Sequence, residues 1–296
     1  MELNNMLQQI NNCPICKGTN FAPFLVCKDY TVSQENFTIV SCKDCNFKFT
    51  NPRPSDSEIW KYYKSEDYVS HSDTKKGLIN RLYHAVRTRT LKQKLGLISQ
   101  YVSRGTMLDY GCGTGMFLKT CADAGWKSFG FEPDPDARKL AAEKGLVVAD
   151  TKEELSKTKY DIITLWHVLE HVTDLNQTLE FFSKQLTDKG RLIIAVPNHT
   201  SAEAKRYKEF WAGYDVPRHI YHFEINTIKK LLGNFGFSLE ETKPMKFDSY
   251  YVSMLSEKYK TGSMNYVIAF LNGLKSNLAA KNPAQYSSVI YIFKKV

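Results

Sequence analysis

From Thr106 onward, short apolar runs alternate with segments whose apolar residues recur at helical spacing. Strand-like runs fall at 106–110, 128–132, 146–149, 161–166 and 190–196, and the helices between them start at Thr114, Asp134, Glu153 and Asp174. Asp134 reads as an N-cap, with Pro135 in the first helical position. After a long loop, 197–225, Asn226 reads as the cap of a helix that carries Ile228, Leu231, Leu232 and Phe235 and stops at Gly236. Strands at 237–242 and 287–294 follow. Such alternation predicts an α/β domain with a parallel sheet and helices on both faces, its ligands lying beyond the carboxyl ends of the strands.

The first hundred residues have a different texture. Phe21–Cys27 and Phe37–Ser41 read as strands. Ser55, with Glu58 three residues on, reads as a capping box for a helix bearing Ile59, Trp60 and Tyr63. A second helix, 78–101, would turn Leu82, Val86, Leu91, Leu95 and Ile98 toward a core. The chain therefore divides into 1–52, a helical linker 53–104, and a main domain 105–296. Residues 247–286 make a large insert between the last two strands, where a hairpin would suffice. Tyr250, Tyr251, Met254, Leu255, Tyr259, Val267, Phe270 and Leu274 lie in it, as a cap over a site or a surface between copies.

Composition changes the picture little: 43% of the 296 residues are hydrophobic and 24% charged, as in ordinary globular proteins. No apolar run approaches the roughly 18 residues that span a bilayer, and no secretory signal opens the chain, so a soluble cytoplasmic protein is expected. The net charge of +9 is uneven. Residues 1–105 carry 15 basic against 9 acidic side chains, 106–240 carry 17 against 19, and 241–296 carry 8 against 3. Eight basic residues and no acid lie between Thr74 and Gly105, as a solvated helix face or a surface for phosphates.

Seven cysteines in a chain without a signal point to metal before disulfides. Cys13-Pro-Ile-Cys16 and Cys42-Lys-Asp-Cys45 are two C-x-x-C turns 25 residues apart, the pattern of a zinc ribbon with a closed, structural site. Gly18 and Asn46 are the residues expected to take the positive φ of such knuckles. Cys27, Cys112 and Cys121 are left over, and Cys112 and Cys121 read as small, buried packing residues around the glycine loop.

The most informative stretch is Thr106-Met-Leu-Asp-Tyr-Gly-Cys-Gly-Thr-Gly-Met-Phe-Leu118. A strand runs into Asp109 and then into Gly111, Gly113 and Gly115, with a helix at once behind them. Glycines at such a turn let a ligand approach the backbone and the N–H groups of a helix start. A nicotinamide fingerprint would need a glycine where Met116 stands. Glu132, ending the second strand, is the acid that would bind ribose hydroxyls, and the glycine spacing favours S-adenosylmethionine.

Asp109-Tyr-Gly-Cys-Gly-Thr-Gly115, Gly130-Phe-Glu132-Pro and Tyr160-Asp-Ile-Ile-Thr-Leu-Trp-His-Val-Leu-Glu-His171-Val together resemble the class I S-adenosylmethionine-dependent methyltransferases. The likeness, over about 106–240, is nearest to the branch that includes ubiquinone-biosynthesis O-methyltransferases. The cysteine ribbon is similar to that of bacterial methyltransferases of surface-polysaccharide and nucleotide-sugar pathways. The resemblance implies a Rossmann-like, seven-stranded, mostly parallel sheet in the order 3-2-1-4-5-7-6, with 287–294 as its antiparallel strand. It implies that Asp109 and the three glycines face the methionine part of the cofactor, that Glu132 holds the ribose and that Asp150 meets the adenine. Trp166 and His167 would line the pocket.

An oxygen or carbon acceptor also needs a base. His219 is the first candidate and His171 the second, though His171 could equally pin its turn. Trp211, Tyr214, Arg218 and His222, in the loop 210–223, would wall an acceptor site, with Arg218 clamping an anionic group; the alternative is a loop packed on the sheet edge with Arg218 in a local salt bridge. Tyr63, Tyr68 and His71 would form a lid or simply pack. The expected activity is methylation of a small-molecule or glycan-linked acceptor. Its rivals are an rRNA base methyltransferase and a non-catalytic zinc-ribbon module. Trp-His-Val-Leu-Glu-His in place of an Asn/Asp-Pro-Pro-aromatic motif argues against the first, and the complete cofactor set against the second.

Overall fold

The computed structural model describes residues 7–63 and 78–296, with side chains throughout except at 78–85. Tyr68 and His71 lie outside the described residues, as do Lys75 and Lys76 of the basic stretch.

The N-terminal strands are β1 (Leu7–Gln8), β2 (Phe21–Lys28), β3 (Asn36–Cys42), β4 (Lys48–Thr50) and β5 (Arg53–Pro54). β2 and β3 form the hairpin foreseen in the sequence, with Phe21 opposite Cys42 and Lys28 opposite Asn36. β4 continues the sheet beside β3, and β1 pairs with β5. Beyond Ser55 the expected α-helix does not form. Ser55 Oγ bonds Ser57 Oγ at 3.0 Å and the Glu58 carboxylate pairs with Lys61, so only a 3-10 turn, Ile59–Tyr63, remains.

Helix α1 (Leu78–Ile98) leads into alternating elements: β6 (Thr106–Tyr110), α2 (Met116–Asp123), β7 (Lys127–Phe131), α3 (Pro135–Ala142), β8 (Val147–Ala149), α4 (Lys152–Leu155), β9 (Tyr160–Trp166), α5 (Leu175–Gln185) and β10 (Leu186–Pro197). Then come α6 (Ala202–Tyr207), β11 (Tyr221–His222), α7 (Ile225–Gly233), β12 (Phe237–Pro244), α8 (Asp248–Thr261), α9 (Tyr266–Ala279) and β13 (Ser288–Lys295). The seven-stranded sheet runs β8-β7-β6-β9-β10-β13-β12, which is the order 3-2-1-4-5-7-6. Only β13 is antiparallel, to β10 and to β12. Asp134 caps α3 as its sequence foretells, accepting from Ala137 N at 2.7 Å. Helix α7 is capped by Glu224 in a reciprocal box with Thr227, and not by Asn226.

Neighbouring strand residues feed opposite faces of the sheet. Leu108, Ile163 and Ile194 join α5 and α7 on one face, while Met107, Ile162 and Ile193 join α1 and α2 on the other. The first cluster also takes in Ile15, Phe47 and Phe49, so the cysteine-bearing region and the main sheet share one core. β11, from the loop after β10, completes the N-terminal sheet by setting Tyr221 opposite Phe49. The boundary near residue 52 is therefore one of sequence, and not of packing. Among the described residues no helix is long and apolar enough to cross a membrane.

Candidate functional site

β6 ends in the glycine loop. Gly111, Gly113 and Gly115 have φ of 75°, 53° and 77°, the left-handed region that disfavours a side chain. They differ in surroundings. A Cβ on Gly111 would lie 2.5 Å from Val168 Cγ2, and one on Gly115 would lie 2.5 Å from Leu146 Cδ1. A Cβ on Gly113 would meet nothing within 4 Å, so this residue borders open space. Glu132 closes the loop from the next strand: Oε2 accepts from Gly113 N at 2.8 Å and Oε1 from Asp134 N at 3.0 Å. Burial raises its carboxyl above the ordinary range. Asp150, just past β8, is exposed and pairs with Arg138 at 3.1 Å. Buried Asp109 accepts from Thr164 Oγ1 at 2.7 Å, and burial pushes its carboxyl up to about 6. Cys112 and Cys121 pack as expected, burial pushing both thiols up.

The turn after β9 abuts this loop through Val168. His167 itself holds φ 59°, a strained conformation for a non-glycine residue. Its Nδ1 lies 3.4 Å from Glu170 Oε1 and its Nε2 lies 3.9 Å from Asp248 Oδ2. Glu170 is wholly buried, and among the described residues neither of its oxygens nor His167 Nε2 is hydrogen-bonded. One donor atom each from Glu170, His171 and His219 lie within 4.8 Å of one another, a set that could hold a divalent cation. Burial opposes ionisation of Glu170, but His167, His219 and His171 outweigh it and hold the carboxyl below the usual range. Burial and the charge of His219 push His171 down to about 4, so its ring is neutral near pH 7.

The histidine tautomers follow from their partners. His171 Nδ1 is 3.1 Å from Arg218 O, and His219 Nδ1 is 2.9 Å from Gly213 O. A carbonyl only accepts, so both Nδ1 atoms carry a proton, and Nε2 is the atom of each ring left to exchange one with an acceptor. Tyr63 reaches the same cluster, its hydroxyl 2.9 Å from His171 Nδ1.

The loop 210–223 requires correction of the expected acceptor wall. Arg218 is buried and heavily engaged: Nε and Nη2 bond Asp215, Nη2 also bonds Asp29 at 3.0 Å, and Nη1 donates to Tyr62 O at 2.9 Å. These bonds take four of its five N–H groups and both of its nearest carboxylates, so its charge is already met inside the fold. Trp211 and Tyr214 pack edge to face at 5.0 Å in a core with Cys27, Phe37, Ile39 and Val252. His222 is buried with Nε2 3.2 Å from Thr50 Oγ1, and burial holds it far below its ordinary value. Trp211, Tyr214 and Arg218 do border a small cleft with Tyr30 and Tyr259, but none of its lining residues belongs to the glycine loop. The aromatics of this loop serve packing because β11 draws it against the N-terminal sheet.

Cys13, Cys16, Cys42 and Cys45 converge as the spacing foretold, their sulfurs within 4.8 Å of one another. Cys13–Cys45 and Cys16–Cys42 are each 3.5 Å apart. Zinc–sulfur bonds of 2.3 Å in a tetrahedron put the sulfurs about 3.8 Å apart, so the four thiols fit that ion. Asn46 takes one positive φ, 62°, but in the first knuckle Lys17 takes it, at 64°, in place of Gly18. Gly18 lies against the exposed Asp44 carboxylate, which would have to move aside for a Cβ there.

A family model described as "Methyltransferase domain" matches residues 83–242, more than half of the chain. The chain belongs to this family. It is an S-adenosylmethionine-dependent methyltransferase. The enzyme is 25% identical over 213 residues to the ubiquinone biosynthesis O-methyltransferase of Rickettsia typhi, an alignment covering 64% of this chain and 83% of that one. It is 33% identical over 100 residues to the protein of that name from Bradyrhizobium, covering 31% of this chain and 40% of the relative. In fold it is similar to magnesium protoporphyrin IX methyltransferase from Synechocystis PCC 6803, solved with bound S-adenosylhomocysteine: TM-score 0.54, 16% identity, 82% of this chain and 100% of the other.

The residues of this methyltransferase fit its cofactor. Gly113 leaves room where a side chain would stand, Glu132 is within reach of the same space, and α2 starts there with helical N–H groups. Lys94, on α1, was not foreseen as part of the site. Its Nζ lies 4.3 Å from the centre of the Trp166 ring, and burial pushes the ammonium down to about 8 against the pull of Asp109 and Asp248. The sequence held a signal: Lys94 falls among Leu91, Leu95 and Ile98 on the apolar face. Asp248 gave none, because it meets His167 from 81 positions away, whereas Glu170 stood in plain view between His167 and His171 and was passed over for them.

Proposed function

We propose that this methyltransferase moves the methyl group of S-adenosylmethionine to an oxygen of a small-molecule or glycan-precursor acceptor held against the 166–171 turn. The observation that carries the reading is Glu170, a buried carboxylate without a hydrogen bond among the described residues, beside His167, His171 and His219 and in a turn that touches the glycine loop. A buried polar group of this kind calls for a polar partner. Relatives named for O-methylation support an oxygen acceptor.

When bound, S-adenosylmethionine supplies a methyl group already activated on sulfur, so the protein's part is to position, exclude water and take a proton. In this reading Asp109, Gly111, Gly113 and Gly115 hold the methionine portion, Glu132 the ribose and Asp150 the adenine. Trp166 and His167 wall the reacting end. His219 Nε2, or His171 Nε2 beside it, takes the acceptor's hydroxyl proton, and Glu170 stabilises the imidazolium that results. The four cysteines hold a structural zinc, which closes the knuckles and leaves no coordination position for chemistry.

The test is transfer of labelled methyl from S-adenosylmethionine into fractionated cell extract by the purified protein. Label in small-molecule or glycan material, abolished in His171→Ala/His219→Ala, supports the reading. Label confined to RNase-sensitive material overturns it and makes the basic segment an RNA surface.

A further inference from the structure

Helix α9 is amphipathic in the wrong sense for a helix facing water. Its buried positions are Ala269, Asn272, Gly273 and Ser276, all small or polar. Its outward stripe is Val267, Phe270, Leu271 and Leu278, with Tyr266 and Ile268 at the near end; Val267 is 69%, Phe270 57% and Leu278 76% exposed. A surface helix ordinarily shows the reverse arrangement. The spacing 267, 270, 271, 278 makes one continuous face, and contiguous exposed apolar surface of this kind marks an interaction site.

We propose that this face seats the enzyme on an anionic lipid bilayer, with α9 lying in the plane of the headgroups. Charge chooses this occupant. Residues 258–296 contain six lysines and no acidic residue. Lys275 borders the stripe, Lys281 follows the helix, and Lys246 is held beside it, its carbonyl accepting from Asn277 Nδ2 at 2.9 Å. All three lysines are exposed. An apolar face rimmed by lysines is the pattern of an interfacial helix, the lysines meeting anionic headgroups. A second copy of the chain would instead bring like charges together. At 14 residues the helix is about 21 Å long, too short to span and suited to lying flat.

The surface is joined to the candidate site. Helix α8, which α9 packs on, begins at Asp248, and the Asp248 carboxylate is 3.9 Å from His167 Nε2. A membrane seat would thus bring an amphipathic acceptor to the enzyme; that extension rests on the acceptor reading above, whereas the lipid surface itself does not.

The experiment is co-sedimentation of the full chain with vesicles of phosphatidylcholine alone, and of phosphatidylcholine mixed with phosphatidylglycerol. Binding is expected to the mixed vesicles, to weaken in high salt, and to fall at least about tenfold in Val267→Gln/Phe270→Gln. Lys275→Glu, a surface change that leaves packing intact, should weaken it in the same direction. Retained S-adenosylhomocysteine binding and an unchanged thermal melt show that the variants are folded. Equal binding by the variants, or none by the parent, overturns the proposal. So does light scattering that finds a dimer dissolved by Phe270→Gln without vesicle binding, which would make the face an interface between copies.

Discussion

Arg218 and Asp29 lie 189 positions apart and meet at 3.0 Å, both side chains buried. With Asp215 on the other side of the guanidinium, they tie the β2–β3 hairpin to the loop before β11. Removing the cation would strand the buried Asp29 carboxylate, so Arg218→Ala should lose about 3–5 kcal/mol of stability. Lysine cannot reproduce the fork and should not restore it. Burial works against ionisation of both aspartates, but Arg218 outweighs it and holds them below the ordinary carboxylate range. Their contribution is therefore present above about pH 4 and lost as pH falls through the lowered values. Denaturant melts of parent and variant should differ most near neutrality and converge in acid.

The proposed zinc predicts one ion per chain, measured by metal analysis and by colorimetric release on thiol modification. Because Ile15, Phe47 and Phe49 belong to the main core, loss of the ion should spread beyond the knuckles. Cys42→Ser, or chelation at neutral pH, should lower the melting temperature of the whole protein and not release a separate unfolding step. An independent low-temperature transition with an unchanged main melt would contradict this.

What could be read from the chain is mostly what local chemistry decides. Glycines with positive φ, Asp134 before Pro135, the two C-x-x-C turns and the alternation of strands each carry their instruction within a few residues. The sheet order followed because the family likeness supplied the long-range part. The loop 210–223 stayed open between an acceptor wall and a packed loop for the converse reason: aromatics dense enough for a binding wall are also dense enough for a core, and the pairing of Tyr221 with Phe49 is a contact no local pattern announces. Ser55 shows the limit even locally, since its hydroxyl found Ser57 before it could cap a helix.

The glycine loop separates two effects that usually travel together. Gly111→Ala would drive a methyl into Val168 and displace the 166–171 turn, so both stability and cofactor binding should fall. Gly113→Ala meets no protein atom, and its strain at φ 53° should cost about 1–2 kcal/mol. Yet it fills the space assigned to the cofactor, so S-adenosylhomocysteine affinity should drop more than stability does. Calorimetric titration alongside thermal melts distinguishes the two; equal affinity in Gly113→Ala and the parent would place the cofactor elsewhere.

Lys94 gives the sharpest pH dependence. It stands over Trp166 with Asp109 and Asp248 as its charged neighbours, where the carboxylate of the cofactor's methionine portion would find a cation. Burial depresses its ammonium to about 8, so it is charged below that pH and neutral above it. The KM for S-adenosylmethionine should climb above about pH 8, with kcat less affected, whereas any change near pH 6 belongs to Asp109. Lys94→Met should raise KM about 10- to 100-fold at neutral pH, the loss of a charge-assisted hydrogen bond, and should remove the climb. Lys94→Arg, charged throughout, should keep KM low at high pH. A Lys94→Met enzyme whose KM still climbed above pH 8 would assign the titration to another group and leave Lys94 a packing residue.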